Sequence, residues 1–557
     1  MNRVKKTVRY IVAAVVLVAV AGAFTFAGRD DFGLGRNMEL LVNMMRSLTT
    51  HYVDKLNPDV LMRNAADGMV TNLDPYTSYL SEEDMKEFEL ATTGKYGGIG
   101  ALIRKRGDYV VISEPYKGSP ADRAGLRAGD KIIAIDKESA KGFTTEQVSS
   151  RLKGDPNTNV KVTIENLIDG KSRTLTIRRE RIAIPGISYA GMLNDSIGYI
   201  HHVDFTEGCY DDMRVAIEKL HEGGRLKGLV LDYRNNGGGI LQEAVKIVSL
   251  FVPKGSEVVS TKGRVESESK IFRTELDPLL PELPIVVLVN GHTASSSEIV
   301  TGALQDMDRA VVMGQKSFGK GLVQSSLPIG YDAYVKMTTA KYYIPSGRCI
   351  QNINYSEHRD QGREIPDSLI REFKTRNGRK VYDGGGIMPD VKLEAEYISR
   401  FAMMLYAMGI IDEFVDEYMQ RHHAESIDNR KFSISDEEYE RFVEFAKGRE
   451  IPYTSETRQA LEQLKKAVKT DRFDEQLAGY LADIERELKD NTESNLRTYR
   501  NEIVESLNSN IVMRYNYSEG AIENSLTTDK EVAEAVRLLT NPAEYNEILS
   551  SRDTQRK

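Results

Sequence analysis

From residue 38 onward apolar residues recur every three or four positions, at Leu41, Met44, Met45 and Leu48. That spacing predicts a helix. An Asn-Leu-Asp-Pro-Tyr stretch at 72–76 reads as a turn before a second helix. From about 97 to 181 the texture changes to short β-rich runs at 109–113, 131–135, 160–165 and 173–178, bounded by Gly, Pro and Asp. From about 186 to 395 strand-like and helix-like stretches alternate. Residues 227–232 (KGLVLD) and 284–290 (PIVVLVN) are continuous apolar runs, the pattern of strands buried on both faces. A helical stretch follows each, which predicts an α/β region. Beyond 396 the chain is polar and helical, with Leu477, Leu481, Ile484 and Leu488 forming one apolar stripe.

The amino end carries a different signal. Residues 10–27 (YIVAAVVLVAVAGAFTFA) hold 18 positions without a charge, after Lys5, Lys6 and Arg9 and before Arg29. Such a run is just long enough to span a bilayer core of about 30 Å as a helix. The positive flank predicts the amino end inside and the rest of the chain outside. Two readings stand: an uncleaved membrane anchor, or a secretory signal peptide cut after Ala21-Gly22-Ala23. Both export the body of the protein, and a buried core helix is the plainer alternative.

Composition narrows the classes. The 557 residues amount to three or four domains. Lys and Arg number 75 against 83 Asp and Glu, a net charge of −8, which argues against a nucleic-acid-binding surface. Two cysteines, Cys209 and Cys349, rule out a disulfide-stapled scaffold or a Cys-rich zinc site and leave a single bridge open. The eight histidines show no metal-ligand spacing, so neither a metal nor a cofactor is expected.

Residues 97–181 read as a peptide-binding module. Tyr96-Gly97-Gly98-Ile99-Gly100-Ala101 precedes a strand-like segment at 102–104. Glycines with small neighbours let the backbone turn sharply and aim N–H groups at one spot, where a free carboxylate is captured while the peptide extends a sheet edge. The later run Gly125-Leu126-Arg127-Ala128-Gly129-Asp130, leading into 131–135, resembles the Gly-Leu-x-x-Gly-Asp signature of PDZ domains. An ordinary glycine turn is the plain alternative. A dinucleotide site does not fit, because the spacing is not G-x-G-x-x-G and a strand follows instead of a helix.

The chemistry-bearing residues lie in the α/β region. Asn290-Gly291-His292-Thr293-Ala294-Ser295-Ser296-Ser297-Glu298 follows the buried run 284–289 and opens a helix. A serine at a strand-to-helix turn is presented at the sheet end beside helix N–H groups, although Thr293 and the serines equally suit helix capping. Downstream is Phe318-Gly319-Lys320-Gly321-Leu322-Val323-Gln324, after a strand at 310–313. If 320–326 is a strand, Lys320, Leu322 and Gln324 share a face. Residues 314–320 also satisfy G-x-x-x-x-G-K, yet Gly321 replaces the required Ser or Thr and no helix follows. His292, three residues from Ser295, is poorly placed to serve a triad.

These segments resemble the carboxyl-terminal processing peptidases, tail-specific serine peptidases with a Ser–Lys dyad and a PDZ domain. Their Ser-Ala-Ser-Glu box corresponds to Ser295-Ser296-Ser297-Glu298 and their Phe-Gly-Lys-Gly-x-x-Gln box to 318–324, 25 residues separating Ser295 from Lys320. Leu73-Asp74-Pro75-Tyr76, Asp232-Tyr233-Arg234-Asn235-Asn236-Gly237-Gly238-Gly239, Tyr342-Tyr343-Ile344-Pro345-Ser346-Gly347-Arg348 and Gly386-Ile387-Met388-Pro389-Asp390-Val391 are also family-like, and together the segments cover about 38–391.

The resemblance implies Ser295 as nucleophile, Lys320 as general base and Gln324 as the residue orienting the lysine. It implies an oxyanion hole from Ser296 and Gly238, and capture of peptide at Gly98, Ile99, Gly100 and Ala101. Ser296 stands for the usual Ala, and Asn236-Gly237 for the common Asn-Pro. A lysine base must be neutral, so burial has to lower its pKa by about 3 units, about 4 kcal/mol against the charged form. Phe318, Leu322 and Val323 are the apolar neighbours expected to do so, and the amide of Gln324 fixes the amine without adding negative charge.

The implied fold is a multidomain α/β protein: a crotonase-like (spiral ββα) protease core, an inserted β-rich PDZ domain, and helical N- and C-terminal regions. The divisions fall at 1–28 (anchor or signal peptide), 29–95 (helical), 96–182 (PDZ), 183–395 (protease core) and 396–557 (helical). The expected activity is exported serine endopeptidase action on proteins with flexible C-terminal tails, on the periplasmic side of the inner membrane. A catalytically silent tail-binding scaffold is the alternative. The C-terminal region is expected to cap the core, to mediate self-association into a homo-oligomer, or to dock an adaptor protein.

Overall fold

The computed structural model describes residues 29–355, 363–488 and 491–550. The apolar run 10–27 lies outside them. Among the described residues no helix is long and apolar enough to cross a membrane. The chain forms two units. Among the described residues, the first comprises 29–82 together with 324–338 and 355, and the second holds the remainder.

In the first unit the helices Arg29–His51 and Pro58–Val70 follow one another. Asn57 caps the second, its side chain accepting from the Asp59 N–H, with Pro58 at the first helical position. The 3–4 periodicity marked the first helix correctly, but its apolar side is open: Met44 is 56% exposed. At the expected turn, Asp74 Oδ1 accepts from the N–H groups of Tyr76 (2.8 Å) and Thr77 (2.9 Å). A short strand, Ser78–Leu80, then pairs antiparallel with Tyr334, Val335 and Lys336.

The second unit opens with the β-rich module. Its sheet runs in the order Ala101–Arg106, Tyr109–Pro115, Lys131–Ile135, Asn159–Glu165, Ser172–Arg178, with Ala101–Arg106 terminal. In Asn159–Glu165 inward Val160, Val162 and Ile164 alternate with polar residues, the period of a half-buried strand. Helix Thr145–Leu152 starts with a reciprocal cap between Thr144 and Gln147. Lys95–Gly98 pairs with Glu180–Ala183, so both ends of the module meet at one neck.

The sheet of the α/β region has six strands in the order Ile187–Met192, Ile197–His202, Gly228–Asp232, Ile285–Val289, Val311–Gly314, Val391–Lys392. All neighbours after the first pair are parallel. Every residue of Gly228–Asp232 and Ile285–Val289 is buried, as their continuous apolar runs predicted. Helices Cys209–His221, Leu241–Ser249 and Ser296–Asp306 contribute to the core on one face. The other face is covered by Lys530–Leu539 and Pro542–Ser550 at the far end of the chain. Tyr545 explains part of that docking: its hydroxyl accepts from the Ile285 N–H (2.9 Å) and donates to the Ile285 carbonyl (3.0 Å).

The remaining helices, from Arg400–Ala407 to Arg500–Ser525, build their own core around Phe401, Leu405, Phe414, Phe442, Leu496 and Leu507. The stripe on Asp474–Glu487 is not part of that core, for no residue of this helix is buried. Cys209 and Cys349 are both free thiols, which closes the single-bridge alternative. The multidomain α/β arrangement with a β-rich insert and helical ends is the fold observed.

Candidate active site

The parallel strands Gly228–Asp232 and Ile285–Val289 end side by side, and the loops leaving their carboxyl ends form the site, the usual place for one in an open α/β sheet. The first loop runs through Asn235, Asn236 and Gly238, and the second through Asn290 to Ser295. They are tied at several points. Asn235 N–H donates to Asn290 Oδ1 (3.0 Å), and Asn290 Nδ2 returns the bond to Asn235 Oδ1 (2.9 Å). The Asn236 carbonyl accepts from Ala294 N–H (2.9 Å) and Ser297 Oγ (3.1 Å). Ser296 Oγ donates to the Gly239 carbonyl (2.8 Å), so this hydroxyl has a use that the family's alanine lacks.

Ser295 occupies the turn from strand to helix with φ 57° and ψ −117°. A positive φ at a non-glycine residue carries about 1–3 kcal/mol of strain and persists only when its surroundings hold it. Glu298 does much of the holding. Its carboxylate is fully buried and accepts from Ser295 N–H (2.8 Å), Gly319 N–H (2.7 Å), Lys320 N–H (2.9 Å) and Ser317 Oγ (2.5 Å). Burial pushes its pKa up to about 7, against the lowering by these donors. One carboxylate therefore joins the backbone of Ser295 to that of Lys320. It also takes the N–H groups of the segment that mimics a phosphate loop.

Gly238 lies directly against Ser295. With φ +99°, a Cβ added there would sit 2.7 Å from Ser295 Cβ and from the Ala294 carbonyl, and 2.8 Å from Ser296 N. Its N–H is donated to Asn236 Oδ1 (2.8 Å), while Asn236 Nδ2 donates to the His202 carbonyl (2.7 Å). Ser296 is the first residue of its helix, and the N–H there is among those with no intrahelical acceptor. His292 is exposed on the loop.

Several expectations need correction. Lys320 does not start a strand but precedes the strand Leu322–Gly330, so it shares no strand face with Gln324. Gly321 N–H instead donates to Gln351 Oε1 (2.7 Å). Of the apolar neighbours expected to enclose the lysine, Leu322 is buried and Val323 packs on the core, but Phe318 is 42% exposed because it stands on the outside of the loop. Gln324 belongs to the first unit, where Nε2 donates to Thr338 Oγ1 (3.2 Å). Asn236, Glu298 and Tyr342 carried no role in the sequence reading. The Ser-x-x-Glu spacing of 295 and 298 was the available signal for one of them.

Gly98, Ile99, Gly100 and Ala101 lie in the module rather than among the groups around Ser295. Gly100 has φ +77° and its carbonyl accepts from Tyr116 N–H (3.0 Å) and Ser119 Oγ (2.8 Å). The Ile99 carbonyl accepts from Ala121 N–H (2.8 Å). Ala101 begins the terminal strand, one edge of which pairs with Tyr109–Pro115. Among the described residues no group of three or more His, Cys, Asp or Glu is placed to hold a metal ion.

Residues 196–358 match Peptidase family S41, residues 111–166 match the PDZ domain, and residues 401–539 match the family described as "Probable PDZ-protease, C-terminal helical domain". The chain is 35% identical over 353 residues to the "Carboxy-terminal-processing protease" of Bartonella bacilliformis, covering 62% of this chain and 81% of the relative. It is 35% identical over 347 residues to a "Probable CtpA-like serine protease" of Staphylococcus aureus, covering 61% and 68%. Among solved structures, the photosystem II D1 C-terminal processing protease is 27% identical with a TM-score of 0.33, covering 65% of this chain and 94% of that one.

Proposed function

Because the chain belongs to the carboxy-terminal-processing proteases of peptidase family S41, and so is a serine-type peptidase with a PDZ domain, we propose that Ser295 is its nucleophile and Lys320 its general base. The observation that supports this most is the Glu298 carboxylate, which accepts from the backbone N–H groups of both residues. Neutral Lys320 Nζ takes the Ser295 hydroxyl proton as Oγ attacks the scissile carbonyl. The lysine then gives that proton to the leaving amine, and water resolves the acyl-enzyme by the same route. The N–H groups of Ser296 and Gly238 receive the developing oxyanion. For Gly238 this requires its N–H to turn from Asn236 Oδ1 to the substrate. The role of Gln324 in orienting the lysine belongs to the same proposal.

The proposal extends to recognition. A protein's flexible C-terminal tail adds to the free edge of Ala101–Arg106, its carboxylate at Gly98–Ala101, and the peptide bond is cut at Ser295. The charge-free run at 10–27 after Lys5, Lys6 and Arg9 supports a location for this activity outside the inner membrane, in the periplasm.

Incubation of the purified protein with a flexible-tailed substrate tests the core of this reading. Cleavage is expected in the wild type and its loss in Ser295→Ala and Lys320→Ala, with tail binding kept in both. Near-normal cleavage by Lys320→Ala would refute the dyad, and binding without turnover by the wild type would identify a silent scaffold.

A further inference from the structure

We propose that the Tyr342 hydroxyl is a positioning group for the reaction, holding the backbones that carry the nucleophile and the base in register. The inference rests on the assignment of Ser295 and Lys320 made above. Tyr342 lies on the strand Ala333–Tyr343, with its ring in the hydrophobic core and the residue 1% exposed. Its N–H donates to the Gly321 carbonyl (3.0 Å) and it pairs with Thr261 across the sheet. The hydroxyl sits 2.6 Å from the Lys320 carbonyl and 3.2 Å from the Ser295 carbonyl.

Phenylalanine would fill the same space, and a hydroxyl taken from water into a core is unfavourable unless it finds partners. Here the partners are the carbonyls of two residues 25 apart in sequence, the two assigned to catalysis. The single hydroxyl proton is donated chiefly to Lys320, the nearer acceptor, and shared toward Ser295. Glu298 acts on the preceding peptide of each of the same two residues, accepting both N–H groups. The pair thus brackets each residue between an acceptor for its N–H and a donor toward its C=O. Ser295 needs such bracketing, because its positive φ is strained. Proton transfer needs it too, since a displacement of about 1 Å between reacting groups lowers a rate about 100-fold.

The test is Tyr342→Phe, which removes one oxygen. Turnover of a flexible-tailed peptide, its KM, thermal melting and the affinity of the isolated tail are measured beside wild type, Ser295→Ala and Lys320→Ala. The expected result is a kcat lower by about 10- to 100-fold, with KM and tail affinity within about two-fold and the melting temperature within about 2 °C, since a 1 kcal/mol change shifts a unit of more than 400 residues by about 1 °C. A kcat within two-fold of wild type overturns the proposal. So does a lost or strongly lowered melting transition, because the hydroxyl would then be serving stability. Cleavage by Ser295→Ala or Lys320→Ala would instead overturn the underlying assignment, whatever Tyr342→Phe shows.

Discussion

Replacing Glu298 by Gln separates what this carboxylate does for the fold from what it does for the site. The side chain is fully buried and its pKa is raised from 4.5 to about 7, chiefly by burial. At 1.36 kcal/mol per unit, ionising it inside the protein disfavours the folded state by about 3 kcal/mol. The sign follows from the proton count: between about pH 4.5 and 7 the folded state holds the proton more tightly, so stability falls as pH rises through that window. The penalty is absent below it and complete above it. Gln removes the penalty but replaces one acceptor oxygen by an amide N–H2. If that amide faces Ser317, the hydroxyl can turn and accept, leaving Gly319 N–H unpaired at about 1–3 kcal/mol. Because part of the penalty is already present at pH 5, Glu298→Gln should be about 2.5 kcal/mol better off at pH 8 than at pH 5, relative to wild type. At about 1 °C per kcal/mol for a unit of more than 400 residues, that is a differential melting shift of about 2–3 °C, read by thermal melts in a Ser295→Ala background. Turnover should fall at least 10-fold at pH 8, because the loop carrying Lys320 loses an anchor. An equal melting difference at the two pH values would show that the carboxylate is not buried as an ion and sink the reasoning.

Gly238→Ala should lower kcat more than about 100-fold with tail binding unchanged, because its Cβ would enter Ser295 Cβ at a φ that alanine avoids; steady-state kinetics beside a peptide-binding assay checks this, and a kcat within ten-fold would contradict it. Asp416→Ala should destabilise the contact between the helical region and the module by about 3–5 kcal/mol, because it leaves the buried Arg514 guanidinium without its 2.8 Å partner and also strips Arg106. Limited proteolysis of the module neck reports it, and an unchanged digestion pattern would argue against it.

Much of the fold can be read along the chain because the relevant forces are local. The strand expected at 131–135 is found at Lys131–Ile135, and the apolar runs near 228 and 285 are fully buried strands. The backbone N–H groups of Ser295 and Lys320 meet on one Glu298 carboxylate, and Gly238 lies against Ser295 and Ser296. What escaped were contacts between a side chain and distant backbone. Asn236, Glu298 and Tyr342 act on N–H and C=O groups, which every residue possesses, so no residue pattern marks their targets. Periodicity also misjudged burial. The stripes at Met44 and Ile484 identify helices correctly, yet neither residue is buried, because spacing reports a helical face and not what covers it.

The C-terminal helical region shows how far such long-range contacts reach. Its helix Arg500–Ser525 breaks at Asn516 and Tyr517, and the restarted turn presents Ser518 N–H to the module's Glu114 (2.7 Å), with the Ser518 hydroxyl on the same carboxylate. Asp412 and Asp416 take Arg104 and Arg106 from the module's terminal strand. A few residues further on, Asp529 and Glu531 meet Arg234 at 2.8 and 2.6 Å, and Arg234 also grips Asp232 at the end of the strand that leads into the Gly238 loop. The last helices then cover one face of the catalytic sheet, with Tyr545 bonded to the backbone of the strand that feeds Ser295. Desolvated ion pairs and a satisfied buried hydroxyl fix geometry even where their net stabilisation is small. The region therefore completes the core from which Ser295 is presented, while gripping the module that bears Gly98–Ala101. Without residues 530–550, Val286 and Leu288 of the strand that leads to Ser295 would lose the surface they pack against.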